Sequence, residues 1–183
     1  DCSDDPGTLT HAENKTISGD SGHGSGVKVP TGGTFIMYGG TISGNKRTVD
    51  GGSGVFVDGG TFKMYDGSIS DNKIEGGVGG GVYVTSNGTF EMRGGTISGN
   101  TAAGNSGGVC VAGGSFIMHD GTITGNTANN YGGGVFVANA KGTFKMENGT
   151  ITGNKATGDG GGVYVAGSFE MSDGNITDNN AAG

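Results

Sequence analysis

The chain has 183 residues, 45 of them glycine and only 31% hydrophobic, which is too little apolar mass for a thick two-layer core and points to a thin, repetitive one. Its 17 acidic and 10 basic residues give a net charge of −7 with no Lys/Arg cluster, which excludes charge-driven binding to nucleic acid or anionic lipid. No apolar run approaches the ~18 residues of a membrane-spanning helix, so direct membrane insertion is not expected.

Residues 1–24 open as Asp1-Cys2-Ser3-Asp4-Asp5 and carry one recurring element, Thr16-Ile17-Ser18. They are expected to form a partial coil or cap, and this start reads as a mature or trimmed one, so export is inferred. From residue 25 to 183 three motifs recur six times in fixed order. The first is Gly-Val-x-Val, with leading valines Val27, Val55, Val82, Val109, Val135 and Val163, spaced by 28, 27, 27, 26 and 28 residues. The second is Thr/Ser-Phe-x-Met, with Phe35, Phe62, Phe90, Phe116, Phe144 and Phe169, each followed two residues later by a methionine. Met37, Met64, Met92, Met118, Met146 and Met171 account for every methionine in the chain. The third ends the unit as Thr/Ser-Ile-Ser/Thr-Gly/Asp-Asn, around Ile42, Ile69, Ile97, Ile123, Ile151 and Ile176.

Each motif alternates a fixed apolar residue with a variable one, the period of a half-buried strand, and glycine, Asn and Asp punctuate the strands. One such unit cannot bury its own apolar face. Coils stacked in parallel at ~4.8 Å set each apolar residue on its counterpart. The predicted fold is therefore all-β, a parallel β-solenoid of about 6.5 coils of roughly 27 residues with three short strands per coil. The spacer between the third strand and the next Gly-Val varies most, as Lys46-Arg47, Ile74-Glu75-Gly76-Gly77 and Asn129-Asn130-Tyr131 illustrate. Asparagine recurs at the corner after the third strand, as Asn45, Asn72, Asn100, Asn126, Asn154 and Asn179. The expectation for these six is a structural ladder of stacked amides that bond the coils above and below.

The succession Ile97-Ser98-Gly99-Asn100, a glycine-rich spacer and Gly107-Gly108-Val109 resembles the repeats of the chlamydial polymorphic outer-membrane proteins and of adhesin-like surface proteins. Here Ile stands where those proteins usually carry Phe before the Asn. The resemblance covers nearly the whole chain after about residue 14. It implies a right-handed parallel β-helix displayed outside the cell or on its surface.

Function is then sought in the outward columns. On the third strand Thr41/Ser43, Ser68/Ser70, Thr96/Ser98, Thr122/Thr124, Thr150/Thr152 and Asn175/Thr177 form a hydroxyl array that is similar to the ice-binding faces of solenoid antifreeze proteins, although Thr is also simply favoured on exposed strands. The second strand presents Ile36, Lys63, Glu91, Ile117, Lys145 and Glu170, read as a solvated face with cross-strand pairs Lys63–Glu91 and Lys145–Glu170. The first strand presents Lys28, Phe56, Tyr83, Cys110, Phe136 and Tyr164. Phe56, Tyr83, Phe136 and Tyr164 make an aromatic stripe for a partner or a stacked sugar, unless the chain's first residues or a twin subunit cover it.

Acidic residues do not recur in register, and His11, His23 and His119 are unrelated by spacing, so no catalytic residue, metal site or cofactor is expected. Cys2 and Cys110 are the only cysteines, and their pairing would staple the N-terminal segment over the first-strand face. Asn-x-Thr sequons stand at Asn14, Asn87, Asn148 and Asn175. The sequence stops at Asn179-Asn180-Ala181-Ala182-Gly183, where a further Gly-Gly-Val is due, and an uncapped end is expected there. The functional expectation is an extracellular, adhesin-like structural module, either part of a longer array or a filament former. Its partners would be further copies of itself or a host or cell-surface protein or glycan. Ice binding and glycan binding are the alternatives.

Overall fold

The computed structural model describes residues 8–11, 16–17, 24–49, 51–85 and 87–183. The strands stack in parallel into four sheets of seven, six, six and seven strands. One coil consists of Val27–Pro30, Thr34–Met37, Thr41–Ser43 and Lys46–Arg47. Each strand pairs with its counterpart one repeat on, Val27 with Val55, Phe35 with Phe62, Ile42 with Ile69 and Lys46 with Lys73. The register holds through the last described coil, where Phe169 pairs with Phe144 and Ile176 with Ile151. No helix occurs among the described residues.

The three strands per coil expected from the motifs are corrected to four. The two residues after each ladder asparagine pair as a short strand of their own, such as Lys73–Ile74, Thr101–Ala102 and Thr127–Ala128. In the internal coils its second residue points inward, and Ile74, Ala102, Ala128 and Ala156 are fully buried. Two residues are too short for a visible period, and alanine is a weak apolar signal.

Upstream, Thr8–His11 pairs with Thr34–Met37 and Thr16–Ile17 pairs with Thr41–Ile42. Leu9 thus takes the phenylalanine place and His11 the methionine place. The rest of the partial coil expected over residues 1–24 lies outside the described residues, apart from Gly24.

The core is a set of columns. Phe35, Phe62, Phe90, Phe116, Phe144 and Phe169 stack ring on ring with centroids 4.7–4.9 Å apart. The valine, methionine and isoleucine columns fill the remaining cross-section, and in the internal coils all are buried. Burying each such side chain contributes about 1.5–3 kcal/mol, and each ring pair adds about 0.5–1.5 kcal/mol.

Two recurring glycine positions are dictated by this packing. Gly67, Gly95, Gly121, Gly149 and Gly174 turn the corner into the third strand with φ between +80° and +110°. A Cβ on Gly121 would also lie 2.6 Å from Met92 Cε, so both conformation and space demand glycine. Before each leading valine, a Cβ on Gly81 or Gly134 would stand 3.0 Å from the Nδ2 of Asn100 or Asn154. The Gly-Val motif is therefore the groove in which the amide ladder sits.

Candidate functional site

The asparagine column is an unbroken hydrogen-bonded ladder with a fixed direction. Asn72 donates its backbone N–H and its Nδ2 to Asn100 Oδ1, at 3.0 and 2.9 Å. Asn100 does the same to Asn126, Asn126 to Asn154, and Asn154 to Asn179, and Asn45 likewise donates to Asn72. The second Nδ2 hydrogen goes back to an isoleucine carbonyl of the preceding coil, as from Asn100 to Ile69 at 2.9 Å. Asn72, Asn100, Asn126 and Asn154 are fully buried. Four hydrogen bonds per side chain offset the desolvation that an isolated buried amide would suffer.

The hydroxyl array lies on the seven-stranded sheet of third strands. Thr41, Ser43, Thr96, Ser98, Thr122, Thr124, Thr150 and Thr152 are all half-buried, and Thr177 in the last described coil is exposed. The columns are in strict register, Thr96 on Thr122 on Thr150 and Ser98 on Thr124 on Thr152. Thr177 Oγ1 donates to Thr152 Oγ1 at 3.3 Å.

The aromatic stripe is less open than the alternation suggests. Cys110 is fully buried, Phe136 is 8% exposed, and Phe56, Tyr83 and Tyr164 are half-buried. The cover comes from the spacer that precedes each first strand. A Cβ on Gly79, Gly132 or Gly160 would stand 2.7–2.9 Å from the Cβ of Tyr83, Phe136 or Tyr164, so the chain passes directly over the base of each ring. The rings also meet along the rod, Phe56 stacked on Tyr83 and Phe136 tilted by 35° against Tyr164, both with centroids 5.4 Å apart. Each stack occupies a ring face that a sugar would need. Lys28 and Arg47 place their cations 5.3 and 5.7 Å from the centre of the Phe56 ring.

In the fourth full coil the spacer residue over the stripe is Ser106, held at φ +58° where Gly79, Gly132 and Gly160 stand at +66° to +77°. Ser106 is fully buried and its Oγ meets no hydrogen-bond partner. The stripe residue beneath is the small Cys110, which leaves room for the side chain that an aromatic would exclude. Cys2, its proposed disulfide partner, lies outside the described residues.

The second-strand face carries charge networks. Lys63 meets Glu91 at 3.6 Å, and Arg93 meets the same carboxylate at 3.0 Å. Lys145 pairs with Glu147 at 2.9 Å rather than with the expected Glu170, because Glu147 lies only two residues on, at the corner just past the strand Thr143–Met146. His119 Nδ1 lies 2.7 Å from Glu147 Oε2, so this histidine is engaged rather than solvated alone. His23 lies outside the described residues. Burial pushes the Glu91 carboxyl up, but Arg93 and Lys63 outweigh it and hold it below the usual range. The Lys145 ammonium and then His119 hold Glu147 below it, while Glu147 raises Lys145.

A further column escaped the motif reading, the residue after each methionine. It reads Tyr38, Tyr65, Arg93, His119, Glu147 and Ser172. Tyr38 and Tyr65 are 51% and 41% exposed and stack at 5.0 Å, and Arg93 lies over Tyr65 at 5.7 Å. The variable chemistry of this column hid it, although its position relative to Phe-x-Met is fixed. Among the sequons, Asn87, Asn148 and Asn175 are exposed, and Asn14 lies outside the described residues. No group of three or more His, Cys, Asp or Glu among the described residues is arranged to hold a metal ion. No helix among them is long and apolar enough to cross a membrane.

Parallel four-sheet stacking, an internal asparagine ladder and one apolar column per inward position define a β-solenoid repeat protein. The family model described as "Right handed beta helix region" matches residues 5–182. The chain belongs to the right-handed β-helix family, which fixes the hand of its coils. No curated protein and no solved structure matches it. The likeness to the chlamydial polymorphic outer-membrane proteins and adhesin-like proteins is a resemblance of motif alone.

Proposed function

We propose that this structural β-solenoid works as an extracellular, adhesin-like module, a stiff rod without catalytic activity that extends by coil stacking and presents regular faces to surface partners. The observation that carries the reading is the in-register parallel stacking of each described coil on the next, strand for strand. Stacking of this kind extends by one more parallel coil, from the same polypeptide or from another copy, and a heterologous contact between copies propagates into a filament.

The ladder sets the chemistry of that contact. Each asparagine donates toward the following coil, so the incoming coil must offer an amide or carboxylate oxygen at the ladder place. Static light scattering after size-exclusion chromatography tests the reading. The apparent mass is expected to grow with protein concentration, and a chain that stays monomeric at the highest soluble concentration rejects end-to-end stacking.

The in-register hydroxyl columns of the third-strand sheet support ice binding as a second reading. Ice-crystal shaping that disappears in Thr124→Tyr or Thr152→Tyr would establish it, and the absence of shaping at any concentration would reject it. Self-stacking and ice binding use different faces, so each test reads one of them.

A further inference from the structure

The chain has five tyrosines, and four of them form two stacked pairs between neighbouring coils. Tyr38 and Tyr65 lie with ring centroids 5.0 Å apart and planes 22° apart, both well exposed. Tyr131 and Tyr164 lie 4.8 Å apart with planes 30° apart, and Tyr131 is 39% exposed. The fifth, Tyr83, stacks on Phe56. We propose that the Tyr38–Tyr65 and Tyr131–Tyr164 pairs are sites of oxidative dityrosine cross-linking, which staples adjacent coils covalently.

The chemistry needs a one-electron oxidant of the peroxidase–hydrogen peroxide class and nothing from the protein beyond the rings. Each phenol gives up one electron and one proton to become a phenoxyl radical. The two radicals combine by forming one Cε–Cε bond between the rings, and the two ring hydrogens at the joined carbons move to the oxygens as aromaticity returns. The net loss is two electrons and two protons, which reduce one hydrogen peroxide to two waters.

Geometry favours this coupling over competing fates. Tyr38 and Tyr65 are 51% and 41% exposed, so an oxidant has access to the first pair. The backbone holds the partners at the coil spacing of ~4.8 Å, so a second radical meets a pre-oriented neighbour at a very high effective concentration. Arg93 lies over Tyr65, so the ring is flanked by Tyr38 and the guanidinium together. The two pairs join the first full coil to the second and the spacer of the fifth to the sixth, so each link would bridge neighbouring coils. A bond at either place closes a chain loop that the unfolded state would otherwise leave free.

This chemistry is independent of the proposed stacking role. To test it, the chain is treated with peroxidase and hydrogen peroxide at a dilution where light scattering shows monomer. Products are resolved by denaturing gel, intact mass and peptide mapping. The expected product runs as a monomer, is lighter by two hydrogens per link, fluoresces as dityrosine and melts higher than the untreated chain. It should form at a rate unchanged by dilution, with linked peptides joining Tyr38 to Tyr65 and Tyr131 to Tyr164. Tyr38→Phe, which preserves the stacking, should lose only the first link, Tyr131→Phe only the second, and Tyr83→Phe neither. The proposal is overturned if dityrosine appears only in covalent dimers, if links involve Tyr83 as often as the paired rings, or if tyrosine is consumed without dityrosine.

Discussion

Replacing Asn100 with alanine tests the ladder at its most enclosed point. The Asn100 side chain accepts from the backbone N–H and Nδ2 of Asn72 and donates to Asn126 Oδ1 and the Ile69 carbonyl, all at 2.9–3.0 Å. Truncation strips the Asn72 backbone N–H and one of its amide hydrogens of these acceptors and takes a donor from the Ile69 carbonyl. Asn126 Oδ1 keeps the Asn100 backbone N–H at 3.0 Å. Each buried group left unsatisfied costs about 1–3 kcal/mol, so two or three of them imply a loss of roughly 3–6 kcal/mol. That is a large share of the ~5–15 kcal/mol by which domains are stable. Urea denaturation followed by far-ultraviolet circular dichroism reads the loss as a lower midpoint at unchanged slope. Ser98→Ala, on the outer face of the same coil, serves as the control and should change stability by under about 0.5 kcal/mol. An Asn100→Ala loss below about 1 kcal/mol would refute the ladder as a main source of cohesion.

Three further outcomes follow from the same packing. Gly121→Ala meets both φ +110° and Met92 Cε and should destabilise far more than Gly125→Ala, where φ is +63° and the surroundings are open; the second should cost only about 1 kcal/mol in thermal unfolding. Ser106→Gly removes a left-handed non-glycine residue and an orphaned buried hydroxyl, so it should raise the melting temperature, corresponding to about 1 kcal/mol. The carboxyls of Glu91 and Glu147 sit below the usual 4.5 in the folded chain. Their stabilisation is therefore complete above that value and lost as pH falls through the lowered folded values. Stability should decline on acidification below about pH 4.5, with a shallower acid limb in Glu147→Gln, measured by urea midpoints across pH.

Much of the fold is legible because one residue type repeats at each inward place. Val, Phe, Met and Ile each mark a column, and a fixed distance between columns sets the coil. The fourth strand was hidden because its second residue drifts from Arg47 to Ile74 to Ala102 and its two residues carry no period. Asn45 through Asn179 announce a ladder by recurrence, but its direction depends on which end of each amide faces the next coil. That orientation is set by the isoleucine carbonyl behind it and by the side-chain-free groove at Gly81 or Gly134.

The surfaces were harder to read, since alternation tells only which residues point out. Nothing in Gly79 or Gly132 announces that the spacer folds back over Tyr83 and Phe136. The tyrosine pairs were missed for a related reason. Tyr38 and Tyr65 share a column with Arg93, His119 and Glu147, so the column has no signature of its own, and Tyr131 belongs to a spacer of variable length.

In-register stacking of every coil is the claim on which the rest depends, and distances between spin labels along one column test it most directly. With Cys2 replaced by Ser, labels at Thr41 and at Thr122, Thr150 or Asn175 lie three, four and five coils apart by the observed register. Backbone separations of about 14, 19 and 24 Å are predicted from a coil spacing of ~4.8 Å. Label distances that increase by one coil spacing at each step support the stacked solenoid. Distances that fail to grow along the series, or that scatter broadly within it, contradict it.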